Sequence, residues 1–199
     1  MKNTVKTIFC LFSFLLAASA WAEERRVAVT LKLPDDFVAK TCPAPVWKGT
    51  SILWKGTTDT RGEKEIGRQT KKKGKDVVLV DAEPPIETVV DAALSALLPA
   101  CGVKLVSEGR SDITMSGEVA EFYAGVEKKL LTGKGMARSR LLFRLKRPSS
   151  NVDRTVEVGY EMEDKRVRQK DIRQLEKSLN ELLARTLEQI PKLDGFREL

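Results

Sequence analysis

The sequence predicts an α+β domain built on a mostly antiparallel sheet with two helices packed on one face. Two observations carry that reading. Two segments, 85–98 and 169–190, repeat apolar residues at spacings of three and four, the period of a helix that buries one side. Between them, three segments alternate apolar and polar residues, the period of a strand with one face in a core and the other in water. A sheet that is apolar on one side needs helices on that side only.

The elements follow in order. Glu24 to Leu33 alternates in part, with Val27, Val29, Leu31 and Leu33 on one side and Arg26, Ala28, Thr30 and Lys32 on the other, and reads as the first strand. Pro34 ends it. Residues 34–49, with three prolines and Cys42, form an irregular connection. Ser51 to Thr58 makes a second strand, whereas Asp59 to Lys75, rich in Gly, Lys, Arg and Thr and ending in Lys71-Lys72-Lys73-Gly74-Lys75, has neither period and reads as a mobile, solvated loop. Val77 to Val80 is a short apolar run suited to a buried strand.

Pro84 and Pro85 suit the start of a helix whose apolar side is Ile86, Val89, Val90, Ala93, Leu94, Leu97 and Leu98. Pro99, lacking a donor, and Gly102, able to turn left-handed, stop it, and Val103 to Val106 begins a strand. A meander comes next. Ile113, Met115 and Val119 face inward in 112–119; Ala137, Ser139, Leu141, Phe143 and Leu145 do so in 137–146; and Val156, Val158, Tyr160 and Met162 in 154–163. On the wet face, Arg138, Arg140, Arg144 and Lys146 can pair with Glu157, Glu161 and Glu163, which accounts for much of the arginine without a ligand. Ile172, Leu175, Leu179, Leu182, Leu183, Leu187 and Ile190 stripe the last helix, which Pro191 closes.

Met1 to Ala22 is built like a secretory signal peptide. Lys2 and Lys6 precede an apolar run from Ile8 to Ala18, and Ala20-Trp21-Ala22 is an A-x-A cleavage site. The expected organisation is therefore a signal over 1–22 and a single domain over 23–199, exported to the periplasm with cleavage after Ala22. The apolar run is too short to cross a bilayer as a helix, and the mature chain carries no transmembrane segment. Thr7-Ile8-Phe9 ahead of Cys10 lacks the small residue that lipid attachment at a cysteine requires. With the signal removed, 33 basic residues face 28 acidic ones, a balance of +5 spread along the chain. That excludes the concentrated basic stripe of a nucleic-acid binder. Cys42 and Cys101 are the cysteines left after cleavage; an even pair in an oxidising compartment reads as one disulfide, with two separate buried thiols as the alternative.

The chain has no histidine, which removes Ser-His-Asp triads, Cys-His dyads and imidazole zinc sites. Gly133-Lys134-Gly135 and the glycines of 67–74 lack the spacing of a phosphate-binding loop. No cofactor, metal site or enzymatic activity is expected.

One stretch is similar to a known family. Ser51-Ile52-Leu53-Trp54, followed by Asp59-Thr60-Arg61 and Ile66-Gly67, resembles the D-x-R … (I/L)-G element after an early strand in YajG-like uncharacterised envelope lipoproteins. The order of helix, three antiparallel strands and amphipathic helix over 85–190 is similar too. The resemblance implies an envelope location and no known enzymatic activity, although this chain lacks that family's acylated N-terminal cysteine. The leading expectation is a non-enzymatic periplasmic accessory or interaction protein whose partner, an envelope protein, meets the 59–75 loop or an exposed sheet edge. The alternative is a binding module for anionic envelope material, lipopolysaccharide, phospholipid or acidic glycan, through Lys71, Lys72, Lys73 and Lys75. Asp59 and Arg61 serve either as a partner contact or as a turn with a local ion pair. A closed apolar cavity between helices and sheet would favour ligand carriage, and a filled core an adaptor.

Overall fold

Residues 23–47, 49–71, 76–129, 132–164 and 172–193 are described by the structure, a computed structural model; the expected signal peptide lies outside them. In chain order the elements are β1 (Glu23–Val29), α1 (Phe37–Thr41), β2 (Ser51–Asp59), β3 (Gly67–Lys71), β4 (Asp76–Ala82), α2 (Ile86–Ala100), β5 (Lys104–Val106), β6 (Ile113–Lys129), β7 (Thr132–Arg147), β8 (Val152–Asp164) and α3 (Ile172–Leu187).

All eight strands join one sheet whose spine is β6, 17 residues long. β7 runs antiparallel along one side of it, and β8 antiparallel along β7. Two strands share its other side. β2 lies parallel to β6 from Ile52↔Ile113 to Asp59↔Val119, and β3 resumes in the same direction at Gly67↔Ala124. β5 lies outside β2, parallel to it; β4 lies outside β3, antiparallel; β1 lies outside β4, parallel.

The sheet is therefore mixed, so the expectation of a mostly antiparallel one is met only in part. The meander β6–β7–β8 is antiparallel as its alternation implied, but a period of two reports only that one face is buried, not which way the neighbour runs. A correction concerns residues 59–75. Asp59 ends β2, and 67–71 form β3 rather than part of a loop. The inward residues there are Gly67 and the buried Gln69, so the strand carries no apolar alternation by which to recognise it. The irregular 34–49 segment likewise holds the short α1, whose Phe37 is buried.

Both long helices feed one core. α2 contributes Ile86, Val90, Leu94, Leu97 and Leu98, α3 contributes Leu175, Leu179, Leu182, Leu183 and Leu187, and they close on Ile113, Met115, Val119, Leu141, Phe143 and Leu145 of the sheet. Each such side chain contributes about 1.5–3 kcal/mol on burial. The polar inward residue of β7, Ser139, meets Thr186 of α3, whose hydroxyl also donates to the Leu182 carbonyl at 2.7 Å. Pro99 sits in the last turn of α2 instead of ending it, and the chain turns at Gly102, whose φ of 96° favours glycine. On the wet face Arg138 reaches Glu161 at 3.2 Å, while Arg144 and Lys146 both go to Asp153, at 2.9 and 3.4 Å. The register decides this: it sets Lys146 opposite Asp153 and leaves Glu157 opposite Leu142. Such exposed pairs contribute a few tenths of a kcal/mol each.

Cys42 and Cys101 form a disulfide with their Cα atoms 5.2 Å apart. It ties the end of α1 to the end of α2, and the backbone amides of Val46 and Trp47 both donate to the Cys101 carbonyl at 2.9 Å. The cross-link spans 59 residues, so chain entropy in the unfolded state makes it worth about 4 kcal/mol. Replacing both cysteines with alanine is expected to lower unfolding free energy by about 2–5 kcal/mol in urea titrations. An unchanged midpoint would show that the bond contributes nothing to the fold.

Candidate functional site

β6 is longer than either strand that flanks it on the β2–β3 side, and the two pieces do not meet. The last bond to β2's continuation is Thr60 N–H to Val119 C=O, 3.1 Å; the next is Ala124 N–H to Ile66 C=O, 2.9 Å. Between them the pairing of β6 with β7 shifts register at 119–121, which bends the strand. The Phe122 carbonyl falls in this gap, and a buried carbonyl without a donor costs about 1–3 kcal/mol. Arg61 supplies the donor.

Arg61 holds both oxygens of Asp59, Nε to Oδ1 at 2.8 Å and Nη2 to Oδ2 at 2.9 Å. Its remaining N–H groups go to three carbonyls: Phe122 at 3.1 Å, Lys64 at 3.2 Å and Glu65 at 3.4 Å. Asp59 also accepts the Arg61 backbone amide and the Lys64 ammonium, each at 3.1 Å. The two side chains are 7 and 6 % exposed. Burial alone would push the Asp59 carboxyl up; the hydrogen bonds from Arg61 and Lys64, with the Arg61 charge, overcome it and hold the pKa at about 2. The planar five-donor guanidinium is what lets one side chain bind a carboxylate and three carbonyls together.

Ile66 and Gly67 finish the device. Ile66 is fully buried and donates its amide to Val80 of β4 at 2.7 Å. A Cβ on Gly67 would lie 2.8 Å from the Ala124 carbonyl oxygen and 3.1 Å from Leu175 Cδ2, so β3 could not approach β6 and α3 this closely with a side chain there. Asp59, Arg61, Ile66 and Gly67 thus each have a separate part in restarting the strand, and the ion pair that the sequence offered as a local turn reaches across the sheet. Over this clamp lies an open groove of about 250 Å³ lined by Glu63, Glu65, Glu121 and Tyr123. Burial raises the Tyr123 phenol pKa.

The lysine run is not brought to the clamp. Lys71 ends β3 with its backbone opposite Asp76, four residues beyond Gly67. Lys72, Lys73 and Lys75 lie outside the described residues. Among the described residues no group of three acidic, cysteine or histidine side chains could hold a metal, and no helix is long and apolar enough to cross a membrane. Under α3 a small void, about 10 Å³ beside Ala124, Gly125, Met162 and Leu175, has room for a single water.

The family described as "Uncharacterized lipoprotein" matches residues 52–192, from the second residue of β2 past the end of α3, and so takes in the whole clamp. No curated protein matches the chain. Among solved structures it is similar to protein XCC0632 from Xanthomonas campestris, at 12 % identity over 83 % of this chain and 91 % of that one, with a TM-score of 0.55. It is also similar to lipoprotein GNA1162 from Neisseria meningitidis, at 11 % identity over 72 % and 99 %, TM-score 0.39. A minor lipoprotein from Acinetobacter baumannii follows, at 11 % identity over 72 % and 93 %, TM-score 0.36. The first of these likenesses shows a shared fold.

Arg61→Met is expected to destabilise by about 3–5 kcal/mol, because it strands a buried carboxylate and the Phe122 carbonyl. Because the folded-state pKa of Asp59 is depressed, its contribution of about 2 kcal/mol is complete above about pH 4 and is lost as pH falls through about 2. Asp59→Asn should flatten stability over that window; a parent and variant with parallel acid titrations would show that the pair does not carry it. Gly67→Ala should cost about 1–3 kcal/mol. Gly62→Ala, whose Cβ meets nothing within 4 Å, is the neutral control, and equal melting temperatures for the two would remove the close-approach argument.

Proposed function

The chain belongs to the family of uncharacterized lipoproteins, and from that premise we propose that it is a non-enzymatic accessory protein of the bacterial envelope that works through protein contacts. The observation that carries this reading is the packing of the described residues: α2, α3 and the sheet bury their apolar faces on one another in one core, and the void under α3 has room for about one water, where a carrier of lipid or another apolar ligand needs a cavity of several hundred Å³. The clamp supports it as well. Asp59 and Arg61, the most distinctive polar residues of the chain, are saturated by each other and by the backbone, which suits a structural part better than a reacting one. The D-x-R … I-G element supports placing the chain beside the YajG-like members of such lipoproteins.

The reading includes export to the periplasm with cleavage after Ala22. Protein recovered from the periplasm should have the intact mass of a chain starting at Glu23. A species starting at a diacylated Cys10 would replace this with anchoring, as the family's description invites.

Affinity isolation from envelope extract tests the function. The expected result is a co-purifying envelope protein whose retention survives changing Lys71, Lys72, Lys73 and Lys75 together to Ser. Recovery of lipopolysaccharide, phospholipid or acidic glycan alone, lost in that variant and in high salt, would overturn it in favour of anionic-ligand capture.

A further inference from the structure

The clamp's donors and acceptors are used by each other and by the backbone, and the open edge of the sheet offers a contact surface whose backbone groups are not. β8 has 13 residues, and among the described residues its one strand neighbour is β7. Its register runs from Gly135↔Asp164 to Arg147↔Val152 without a shift, so no bulge turns the edge away. Val152–Asp164 contains no proline and no lysine, two residue types that commonly blunt edges.

The directions of its backbone groups can be assigned. Ser139 Oγ accepts the Tyr160 N–H at 3.2 Å and lies 3.3 Å from the Tyr160 carbonyl oxygen, so both groups of Tyr160 point toward β7. Alternate residues of an antiparallel strand point the opposite way, which aims the N–H and C=O of Thr155, Glu157, Gly159 and Glu161 at the open side.

The side chains sort a prospective occupant by charge. Asp153, Glu157, Glu161 and Glu163 are exposed on the wet face, while Val156, Tyr160 and Met162 are half-buried against the core on the other. A second copy pairing about a two-fold axis at Gly159 would set Glu157 opposite the copy's Glu161, and an axis at Glu157 would set that residue opposite itself. Like charges directly opposite repel. A basic strand does not meet this problem, and β7 already shows the match on the inner side of β8, with Arg138 on Glu161 and Arg144 on Asp153.

We propose that β8 is the docking edge for an extended segment of a partner protein that alternates Lys or Arg, over Glu157 and Glu161, with apolar residues, over Val156, Tyr160 and Met162. This rests on the accessory-protein reading and names its surface and partner chemistry. The main chain supplies affinity, and the acidic row selects the occupant.

The test uses a fluorescent, acetylated peptide of about ten residues alternating Arg and Val, long enough to span the strand, against a Glu–Val peptide of equal length. Anisotropy titration at low salt should show binding of the Arg–Val peptide alone. Glu157→Lys with Glu161→Lys should weaken it about tenfold or more. Glu157→Pro, which removes an N–H aimed at the open side and none aimed at β7, should abolish it while the thermal midpoint stays close to the parent's. If Glu157→Pro fails to fold, the lysine pair carries the test. Equal binding of the two peptides, no binding by the parent, or binding unchanged in the variants would overturn the proposal, as would a parent dimer in sedimentation that Glu157→Pro converts to monomer. A photo-crosslinking residue in place of Glu157, with another in place of Arg68, exposed on β3, separates this from the broader reading. Envelope proteins captured from position 68 and never from 157 reject this edge alone, whereas no capture from either site rejects the accessory role with it.

Discussion

A strand of 17 residues has to be matched along its whole buried length, and β6 is matched on one side in two pieces. Every buried backbone carbonyl in the break needs a donor, because a group withdrawn from water without a partner costs more than an ordinary hydrogen bond returns. The chain meets that requirement with one guanidinium. Arg61 bonds the Phe122 carbonyl in the gap and the Lys64 and Glu65 carbonyls of the loop that bridges it. The fold on this side of β6, from the end of β2 to the start of β3 and on to β4 and β1, is set by that junction.

A buried guanidinium needs a counter-charge, and its identity is constrained in turn. Asp59 is the last residue of β2, so its backbone is fixed by the sheet and its carboxylate starts from a known place. Desolvation of a buried pair is offset only where nearly every donor and acceptor is used, as it is here; with one partner missing, the desolvation of the other dominates. The contrast with the wet face is one of magnitude. Arg138–Glu161 and Arg144–Asp153 have comparable distances, but their side chains are about half exposed and water screens most of their attraction.

The other half of the molecule is held by different means. α2, β5 and the α1 segment meet at the Cys42–Cys101 bond and at the Cys101 carbonyl, which accepts two amides from the chain that follows α1. α3 adds the leucine stripe over β6, β7 and β8. Apart from the buried Asp59–Arg61 clamp, most charged side chains of the described residues lie on the wet face and edges of the sheet and on the outer sides of the helices. Of the strands that end the sheet, β8 with 13 residues is longer than β1 with 7 and β5 with 3.

What the sequence determined by itself is whatever a local period or a residue's own chemistry encodes. The inward faces of β6, β7 and β8, the stripe of α3 and the apolar side of α2 were legible because burial on one face leaves a repeat in the chain. The even cysteine pair was legible as a candidate because the chain has three cysteines and two lie beyond the expected signal, and the D-x-R … I-G element because of its place after an early strand. The tertiary structure alone decided the rest. β3 was hidden because its inward residues are a glycine needed for close approach and a buried glutamine, neither of which registers as apolar. The parallel pairing of β2 and β3 with β6 was hidden because alternation is the same whichever way the neighbour runs. The full meaning of Arg61 was hidden for a third reason: its decisive acceptor is a main-chain carbonyl 61 residues away. Every residue carries such a carbonyl, so no side-chain pattern can announce which one the fold will leave in need of a donor.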